Sequence, residues 1–415
     1  MRWLLTTWGS RGDLHPFLAL GQGLLRRGHE VTLVGCEPWR DEVEGSGLRF
    51  ASTGGKSFDH LLREHPQILS NDAPALKLML KTMIEPGLAP ACDTLLRLAP
   101  THDVLVAIHF VYPASVVAEL TGIPWATVTL APGLVPSAST PLAGQSRPMP
   151  RSRYDRFVNR AVWAAVRFGM GWALGPSINR LRRSHGLKPM RDAFGDRLSR
   201  RLNLQLYSEH FAPRPKDWSS EKKFGGFCFH DPPVTPQLTS QIEHFLAQGE
   251  PPILFTLGTA VMQSPGQFYR AAIAALEKLK MRGILLLGRS ENRPAHVPHS
   301  VLAIDYAPFH VLMPRVCAVV HQCGIGTLSH VLRAGRPSLA CPCAFDQFNN
   351  GRRLEALGVA EFLGLGERTS DHICAGLDRL LKSNAPARAN QLGQLLRRED
   401  GVAQSCDALE KAFKR

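Results

Sequence analysis

Apolar runs, glycine loops and helical segments follow one another in a fixed order at the start of the chain. The apolar run Trp3 to Thr7 precedes a polar loop, a helical segment from Pro16 to Arg27, and a second apolar run, Val31 to Val34. A strand, a loop, a helix and a strand in this order predict a βαβ unit with parallel strands. Gly28 directly follows the helical segment, as glycine often does at a helix C-terminus.

The same order recurs in the second half of the chain. Ile253 to Leu257 reads as a strand, and Pro265 to Met281 as the helix after its glycine loop. Further on, the apolar run Cys317 to Val320, the helical segment Leu328 to Ala334 and the run Pro337 to Cys341 repeat the pattern. We therefore predict an α/β fold of two Rossmann-like halves. Sites in such sheets lie beyond the carboxyl ends of the strands, so both glycine loops should open into one cleft.

A segment rich in turn residues separates the two halves. Residues 209–252 contain seven prolines and the pair Gly225-Gly226, which indicates irregular structure. The predicted boundaries are an N-terminal domain over 1–215, a linker over 216–250, a C-terminal domain over 251–385 and a terminal helix over 386–415.

Composition describes an ordinary globular protein. Of 415 residues, 44% are hydrophobic and 20% charged, and no run of 18 apolar residues predicts a membrane span. Arg11 and Asp13 interrupt the apolar start too early for a signal peptide. Nine irregularly spaced cysteines argue against a disulfide framework, so we expect a reducing, cytoplasmic compartment.

The net charge of +14 is concentrated in one segment, residues 147–201, which holds 14 Lys and Arg against three Asp. Inside it, arginines recur at helical spacing beside an apolar face. The arginines are Arg153, Arg156, Arg160 and Arg167, and the apolar residues are Tyr154, Phe157, Val158, Ala161, Val162 and Ala165. A basic amphipathic helix over 151–168 can bind the anionic inner face of the cell membrane. A helix that packs on its own domain and exposes its charged face to solvent has the same pattern. No nucleic-acid-binding module is found, so we expect no nucleic-acid partner.

The loop after Val320 has the residues of a phosphate site. His321 ends the apolar run, and Gly324, Gly326 and Thr327 follow where the next helix begins. Unpaired N–H groups and the helix dipole favour an anion at such a position. After the next strand, Asp346, Gln347 and Asn350 supply a carboxylate and two amides, which suit sugar hydroxyls. Together they indicate a nucleotide-sugar.

These residues resemble the donor-site signature of family 1 glycosyltransferases, the UDP-glycosyltransferase superfamily. The likeness is greatest to the bacterial sterol glucosyltransferase and rhamnolipid-type rhamnosyltransferase branches. The family pattern is aromatic-x-Pro, then His-x-Gly-x-x-Gly-Thr, then Pro-x-x-x-(Asp/Glu)-Gln-x-x-Asn. The chain matches it at Tyr306, Pro308, His321, Gly326, Thr327, Pro342, Asp346, Gln347 and Asn350. It departs from it at Gln322, where a second His is usual, and at Cys323, where Gly is usual.

The resemblance implies a GT-B fold, in which two Rossmann-like domains face each other across a cleft and a terminal helix returns to the N-terminal domain. It also implies the donor contacts. Tyr306 would stack on the base, and the His321 loop with Gly258 and Thr259 would hold the diphosphate. Asp346 and Gln347 would bind the sugar.

The resemblance extends to the loop GSRGDLHPF, where the family carries its catalytic base three residues before a proline. Asp13 holds that position, and the alternative is that it only caps the following helix. His109, after the strand DVLVAI, stands where some relatives have an acidic partner. It would orient Asp13 or shuttle its proton, or it is a structural histidine at a strand end.

The expected function is inverting transfer of a hexose from UDP-glucose or dTDP-rhamnose to a hydroxyl of an apolar acceptor, such as a lipid, a sterol-like molecule or a polyketide. The nucleotide-sugar is a co-substrate, and we expect neither cofactor nor metal, since the chain has no Asp-x-Asp pair. Three alternatives remain open: a nucleotide-sugar epimerase, a catalytically degenerate binder, suggested by Gln322 and Cys323, and a peripheral membrane protein with a regulatory nucleotide site.

Overall fold

Two parallel sheets organise the computed structural model, which describes residues 1–70, 72–190, 192–232 and 236–414. The strands in these residues are β1 (Arg2–Thr6), β2 (Glu30–Gly35), β3 (Arg49–Ser52), β4 (Val104–Ile108), β5 (Trp125–Thr129), β6 (Asn203–Gln205), β7 (Lys222–Phe224), β8 (Ile253–Thr256), β9 (Gly283–Leu286), β10 (Val301–Ile304), β11 (Ala318–His321), β12 (Ser338–Ala340) and β13 (Ala360–Phe362). The first sheet has the order β3-β2-β1-β4-β5-β6-β7 and the second β10-β9-β8-β11-β12-β13. This confirms the predicted α/β fold.

Helices connect the strands and cover the sheets. Over the same part of the chain they are α1 (Arg11–Arg26), α2 (Arg40–Gly45), α3 (Phe58–Glu64), α4 (Ala73–Met79), α5 (Glu85–Leu98), α6 (Pro113–Thr121), α7 (Arg153–Ser184), α8 (Pro236–Leu246), α9 (Gly258–Val261), α10 (Phe268–Leu279), α11 (Phe309–Leu312), α12 (Ile325–Ala334), α13 (Gln347–Ala356), α14 (Ser370–Lys382), α15 (Ala385–Leu396) and α16 (Gly401–Phe413). The strands read as continuous apolar runs because helices bury them on both faces.

The helix α1 begins earlier than the sequence predicts. It begins at Arg11 with Ser10 as its N-cap, and Pro16, expected in the first turn, lies inside it. The side chains of Ser10 and Asp13 form a capping box that stabilises this additional turn. The polar loop after β1 is therefore already helical, and it brings Asp13 close to the end of β1.

The segments at the linker and at the end of the chain differ from the expected boundaries. The segment 216–250 contains β7, the edge strand of the first sheet. The terminal segment is two helices rather than one. Of these, α15 packs on α12 of the C-terminal half, and α16 packs on α1 of the N-terminal half, where Arg27 forms a 2.6 Å ion pair with Asp407.

Candidate active site

A cavity of about 500 Å³ lies between the two sheets, beyond the carboxyl ends of β1, β4, β8 and β11. Ten of the twelve predicted site residues line it: Asp13, His109, Gly258, Thr259, Tyr306, Gly324, Gly326, Thr327, Asp346 and Gln347. The two halves meet closely here, since a Cβ built on Gly326 would lie 4.0 Å from the Gly12 Cα. His321 and Asn350 do not line the cavity.

The N-terminus of α12 is open toward the cavity. Gly324 is its N-cap and supplies no side chain to the first N–H groups, and the first intrahelical bond closes from the Leu328 N–H to the Gly324 carbonyl. The preceding N–H groups and the helix dipole together form a site for an anion. A phosphate group suits this position.

Gln322 lies beside this helix start and faces the same cavity. Its Nε2 donates to the Thr327 hydroxyl at 3.3 Å, and its buried Oε1 has no hydrogen-bond partner within the described residues. Gly258 makes room for the amide, because a Cβ there would lie 2.0 Å from the Gln322 Nε2. Gly258 also has a φ of +61°, a backbone conformation that glycine adopts without strain. The resemblance marked Gln322 only as a departure, and the structure places it on the cavity wall.

His321, predicted to contact a diphosphate, does not line the cavity, and both of its ring nitrogens are hydrogen-bonded within the protein. The ring is fully buried, its Nδ1 accepts from the Cys323 N–H at 3.1 Å, and its Nε2 therefore carries the proton donated to the Ser338 hydroxyl at 3.0 Å. Burial lowers the pKa of His321 to about 3, so the ring is neutral and has no N–H left for a ligand. His321 instead fixes the turn into α12.

The backbone conformation of Cys323 explains why glycine is usual at this position. Its φ is +67°, in the left-handed region that costs a residue with a Cβ roughly 1 kcal/mol. The side chain is fully buried in an apolar cluster and does not line the cavity. The thiol therefore leaves the space in front of α12 free.

Asp346 and Gln347 face the cavity, whereas Asn350 lies behind them and binds Asp346. The Asn350 Nδ2 donates to Asp346 Oδ2 at 2.7 Å and to the Cys323 carbonyl at 3.0 Å, so it links the two loops. Asn350 does not line the cavity, and its predicted donor contact stays a prediction. The Gln347 Oε1 accepts from the Cys343 and Ala344 N–H groups, which leaves its Nε2 for a ligand. Burial raises the pKa of Asp346 to about 6.

Asp13 lies on the opposite wall, in the first turn of α1. Its Oδ2 accepts from the Ser10 backbone N–H at 2.8 Å and from the Ser10 hydroxyl at 3.1 Å. Removal from water raises the pKa of Asp13 to about 7, which the Ser10 bonds only partly offset. The nearby negative charges of Asp346 and Asp59 raise it further. A carboxyl group that titrates near neutral pH is suited to accepting a proton.

Gly9 leaves the space that the Asp13 carboxylate occupies. A Cβ on Gly9 would lie 2.3 Å from Asp13 Oδ2, and the Gly9 φ is +106°. The sequence contained a signal for this arrangement, because Ser10 stands three residues before Asp13, the spacing of a capping box.

His109 lines the same cavity but forms no hydrogen bond with Asp13. Its ring is buried, and its Nδ1 has no partner within the described residues. Burial, and then the positive charge of Arg197, hold the pKa of His109 well below its usual range. Ser10, rather than His109, orients the Asp13 carboxylate.

Most of the rest of the N-terminal wall is apolar. It comprises Phe58, Met79, Leu80, Met83, Ile84, Phe110, Leu130, Leu134, Leu142, Met170, Leu174 and Phe194. The sequence did not predict these residues as part of the site, because they come from helices and loops that are far apart in the sequence.

The long helix α7 leaves an aromatic stripe in solvent. Tyr154, Phe157, Phe168 and Trp172 are 73%, 66%, 81% and 80% exposed. The buried face is formed instead around Asn159 and Trp163, both of which donate to the Thr140 carbonyl. Tyr154 and Phe157 therefore lie on the same outer surface as the arginines. No helix in the described residues is long and apolar enough to span a membrane.

Two family models match the chain. Residues 3–139 match the glycosyltransferase family 28 N-terminal domain, and residues 274–407 match the erythromycin biosynthesis protein CIII-like C-terminal domain. Each match includes part of one side of the cavity.

Relatives that match nearly the whole of this chain agree with these models. The chain is 31% identical to O-mycaminosyltylonolide 6-deoxyallosyltransferase of Streptomyces fradiae, over 99% of this chain and 97% of the relative. It is 26% identical to sterol 3-beta-glucosyltransferase UGT80B1 of Arabidopsis thaliana, over 97% of this chain and 66% of the relative.

Solved structures show the same fold. A kitacinnamycin glycosyltransferase superposes with a TM-score of 0.73 at 20% identity, over 99% of both chains. The glycosyltransferase VinC in complex with dTDP superposes with a TM-score of 0.71 at 18% identity, over 100% of both chains. The fold, the family models and the relatives agree: the chain is a glycosyltransferase and belongs to family 1 of the GT-B fold.

Proposed function

We propose that the protein transfers a hexose with inversion from a nucleotide-sugar to a hydroxyl of an apolar acceptor. The observation that carries this proposal is the placement of Asp13 and the open start of α12 on opposite walls of one cavity. A base on one wall and a diphosphate site on the other favour attack on the face of the sugar opposite the leaving group. Such in-line displacement inverts the anomeric carbon.

In the proposed reaction, Asp13 accepts the proton of the acceptor hydroxyl while its oxygen bonds to the anomeric carbon. The bond from that carbon to the diphosphate oxygen breaks, and its electron pair leaves with the nucleoside diphosphate. The N–H groups and dipole at the start of α12 stabilise this developing negative charge. Asp346 and the Gln347 amide are proposed to bind sugar hydroxyls, and Tyr306 to stack on the base.

We propose a dTDP-linked deoxyhexose such as dTDP-rhamnose, or UDP-glucose, as the donor. Support comes from the Streptomyces relative, named as a deoxyallosyltransferase, the Arabidopsis relative, named as a glucosyltransferase, and VinC, solved with dTDP. The apolar wall supports an acceptor of the natural-product, lipid or sterol type. In this assignment the N-terminal half holds the acceptor and the C-terminal half the donor.

A second proposal concerns α7. We propose that residues 151–168, together with Trp172 one turn further along α7, contact an anionic membrane surface. Exposed aromatic rings insert at the headgroup boundary, and neighbouring arginines attract anionic lipid. Met170 and Leu174 of the same helix line the cavity. On a membrane-bound enzyme, the acceptor side of the cavity would therefore lie next to the helix that contacts the membrane.

A donor panel tests the main proposal. UDP- and dTDP-sugars are titrated into the wild-type protein and the Asp13→Asn variant by calorimetry, and slow hydrolysis is followed by NMR. We expect one donor to bind both proteins equally and the wild type alone to transfer the sugar once an acceptor is found. Donor binding that is the same in both proteins, with neither hydrolysis nor transfer by the wild type, would indicate the degenerate binder. Conversion of the donor to its epimer would indicate the epimerase.

A further inference from the structure

Three polar side chains line the apolar part of the cavity and have no part in the transfer described above. They are His109, Tyr112 and Arg197, with exposed fractions of 5%, 4% and 4%. All three line the same cavity. The positive charge of Arg197 adds to the effect of burial in lowering the pKa of His109, and it partly offsets the rise that burial causes in the pKa of Tyr112. Buried polar groups normally have partners, so this cluster requires an explanation.

Arg197 is held rigidly from one side. Its Nε donates to the Phe194 carbonyl and its Nη2 to the Leu134 carbonyl, both at 2.8 Å. The guanidinium carbon lies 3.8 Å from the centre of the Phe194 ring. These contacts fix the plane of the guanidinium and leave its Nη1 without a hydrogen-bond partner among the residues that the structure describes.

No carboxylate within the described residues forms an ion pair with Arg197. Asp192, whose negative charge acts on Arg197, is paired with Arg167 instead. Burial lowers the pKa of Arg197 to about 10, so the side chain is still charged at neutral pH. A buried charge without a counterion is costly, and a ligand that supplies the counterion removes that cost.

The two neighbours are also free to bind an oxygen anion. The His109 Nδ1 has no partner among the residues that the structure describes, and the neutral ring can carry a proton on that nitrogen. The Tyr112 hydroxyl has no hydrogen-bond partner in the part of the chain described, and it can donate as well. Arg197 supplies charge and planar donor geometry, which match a carboxylate.

We infer that the acceptor is an apolar hydroxy acid whose carboxylate binds Arg197, flanked by Tyr112 and His109, while its hydroxyl reaches Asp13. The inference rests on the proposed function and narrows its acceptor class to acidic molecules, in contrast to neutral sterols. Arg197 is bound to the segment after β5, and Asp13 follows β1, with β4 between these strands. Two strand spacings separate β1 from β5 by roughly 10 Å, so we expect a ligand whose carboxylate and hydroxyl are separated by a chain of about this length.

The test uses 10-hydroxydecanoate, its methyl ester and decane-1,10-diol, titrated by calorimetry into the full-length protein in the presence of the nucleoside diphosphate. We expect the wild type to bind the acid at least tenfold more tightly than the ester or the diol. Arg197→Gln should abolish this preference and leave the ester affinity unchanged. Tyr112→Phe, which keeps the ring packing, should reduce the preference severalfold and serves if Arg197→Gln does not fold.

Equal affinities for acid and ester in the wild type, binding of none of the three probes, or a preference that survives both substitutions would overturn the inference. The test measures binding alone and needs no turnover. Failure of the proposed transferase function would instead appear as absent donor hydrolysis and transfer, which are measured separately with the same protein.

Discussion

Asp13 accepts two hydrogen bonds from Ser10, at 2.8 Å from the backbone nitrogen and 3.1 Å from the hydroxyl, on the same oxygen. One carboxylate thus caps α1 and faces the cavity. The two interpretations of Asp13 as a cap and as a base are therefore compatible. The cap fixes the side chain, and the other carboxylate oxygen is left for a proton.

Replacing Asp13 by Asn should lower kcat by about 10²- to 10⁴-fold, the usual contribution of a general base, with donor affinity unchanged. The wild-type rate should rise with pH through about 7, as Asp13 loses its proton. Ser10→Ala should move this limb to higher pH, because the hydroxyl bond of Ser10 lowers the Asp13 pKa and its removal raises that pKa. Initial rates between pH 5 and 9 measure both effects. If the rise of the rate with pH has the same midpoint in Ser10→Ala as in the wild type, a group other than Asp13 is responsible for it.

Asp13→Asn should also change how stability depends on pH. The folded protein holds the Asp13 proton up to about pH 7, whereas the unfolded chain releases it near pH 4. The native state binds more protons in this window, so the wild type loses stability as pH rises from 4 to 7. The variant should gain in free energy of unfolding relative to the wild type across that window and keep the gain above it. Urea unfolding at pH 4, 5.5 and 8 measures this, and a constant difference would contradict it.

Gly9→Ala should displace the Asp13 carboxylate, since the new Cβ would overlap its Oδ2. We expect kcat to fall at least tenfold with donor affinity preserved. Gly28→Ala is the matched control, because Gly28 follows the same helix at a φ of +78° with no atom within 4 Å of its Cβ position. Both variants carry the cost of a left-handed alanine, and only Gly9→Ala should lose turnover. Equal losses in both would point to stability rather than to the position of Asp13.

Asp346→Ala should weaken discrimination between donor sugars by tenfold or more and change nucleoside diphosphate affinity by less than about twofold. The reason is that the start of α12, which we assign to the diphosphate, does not depend on this carboxylate. Glu355→Ala, at an exposed position of the same helix α13, is the control. Calorimetry with a nucleotide-sugar series and with the free diphosphate separates the two quantities. An equal loss of both would count against a sugar contact.

Glu substitutions at Arg153, Arg156 and Arg160 should release the protein from vesicles that contain anionic lipid, because they reverse the charge beside the exposed aromatic stripe. Co-sedimentation with phosphatidylglycerol-containing vesicles at low and physiological salt measures this. The matched control reverses three exposed charges elsewhere, Lys223, Arg270 and Lys382. If the wild type does not sediment, the membrane proposal is wrong.

Much of the fold was readable because parallel strands bring their carboxyl ends to one edge. A loop after β1 and a loop after β11 must therefore face the same cleft, wherever they stand in the sequence. This geometry is why ten of the predicted residues line one cavity. The strand β7 was missed because three residues in a proline-rich segment give no apolar run.

The direction of individual side chains was not readable. The sequence places His321 at a strand end, but the hydroxyl that holds its Nε2 belongs to Ser338 on the neighbouring strand. Arg197 was hidden among the 14 basic residues of one segment, and only tertiary structure separates it from the solvent-exposed arginines. The local sequence pattern predicts where a residue lies along a strand or helix. The roles of His321 and Arg197 depend instead on contacts between elements that are far apart in the sequence.

The packing of α16 on α1 has a consequence for synthesis on the ribosome. Phe413 lies against Trp3 of the first strand, with ring centres 6.2 Å apart, and Cys406 belongs to the same apolar core. The first half of the protein thus emerges from the exit tunnel long before the helix that covers one side of it. Until the last of these residues is translated, that side exposes apolar surface to solvent, and we expect a nascent chain that is stalled before residue 400 to bind chaperones.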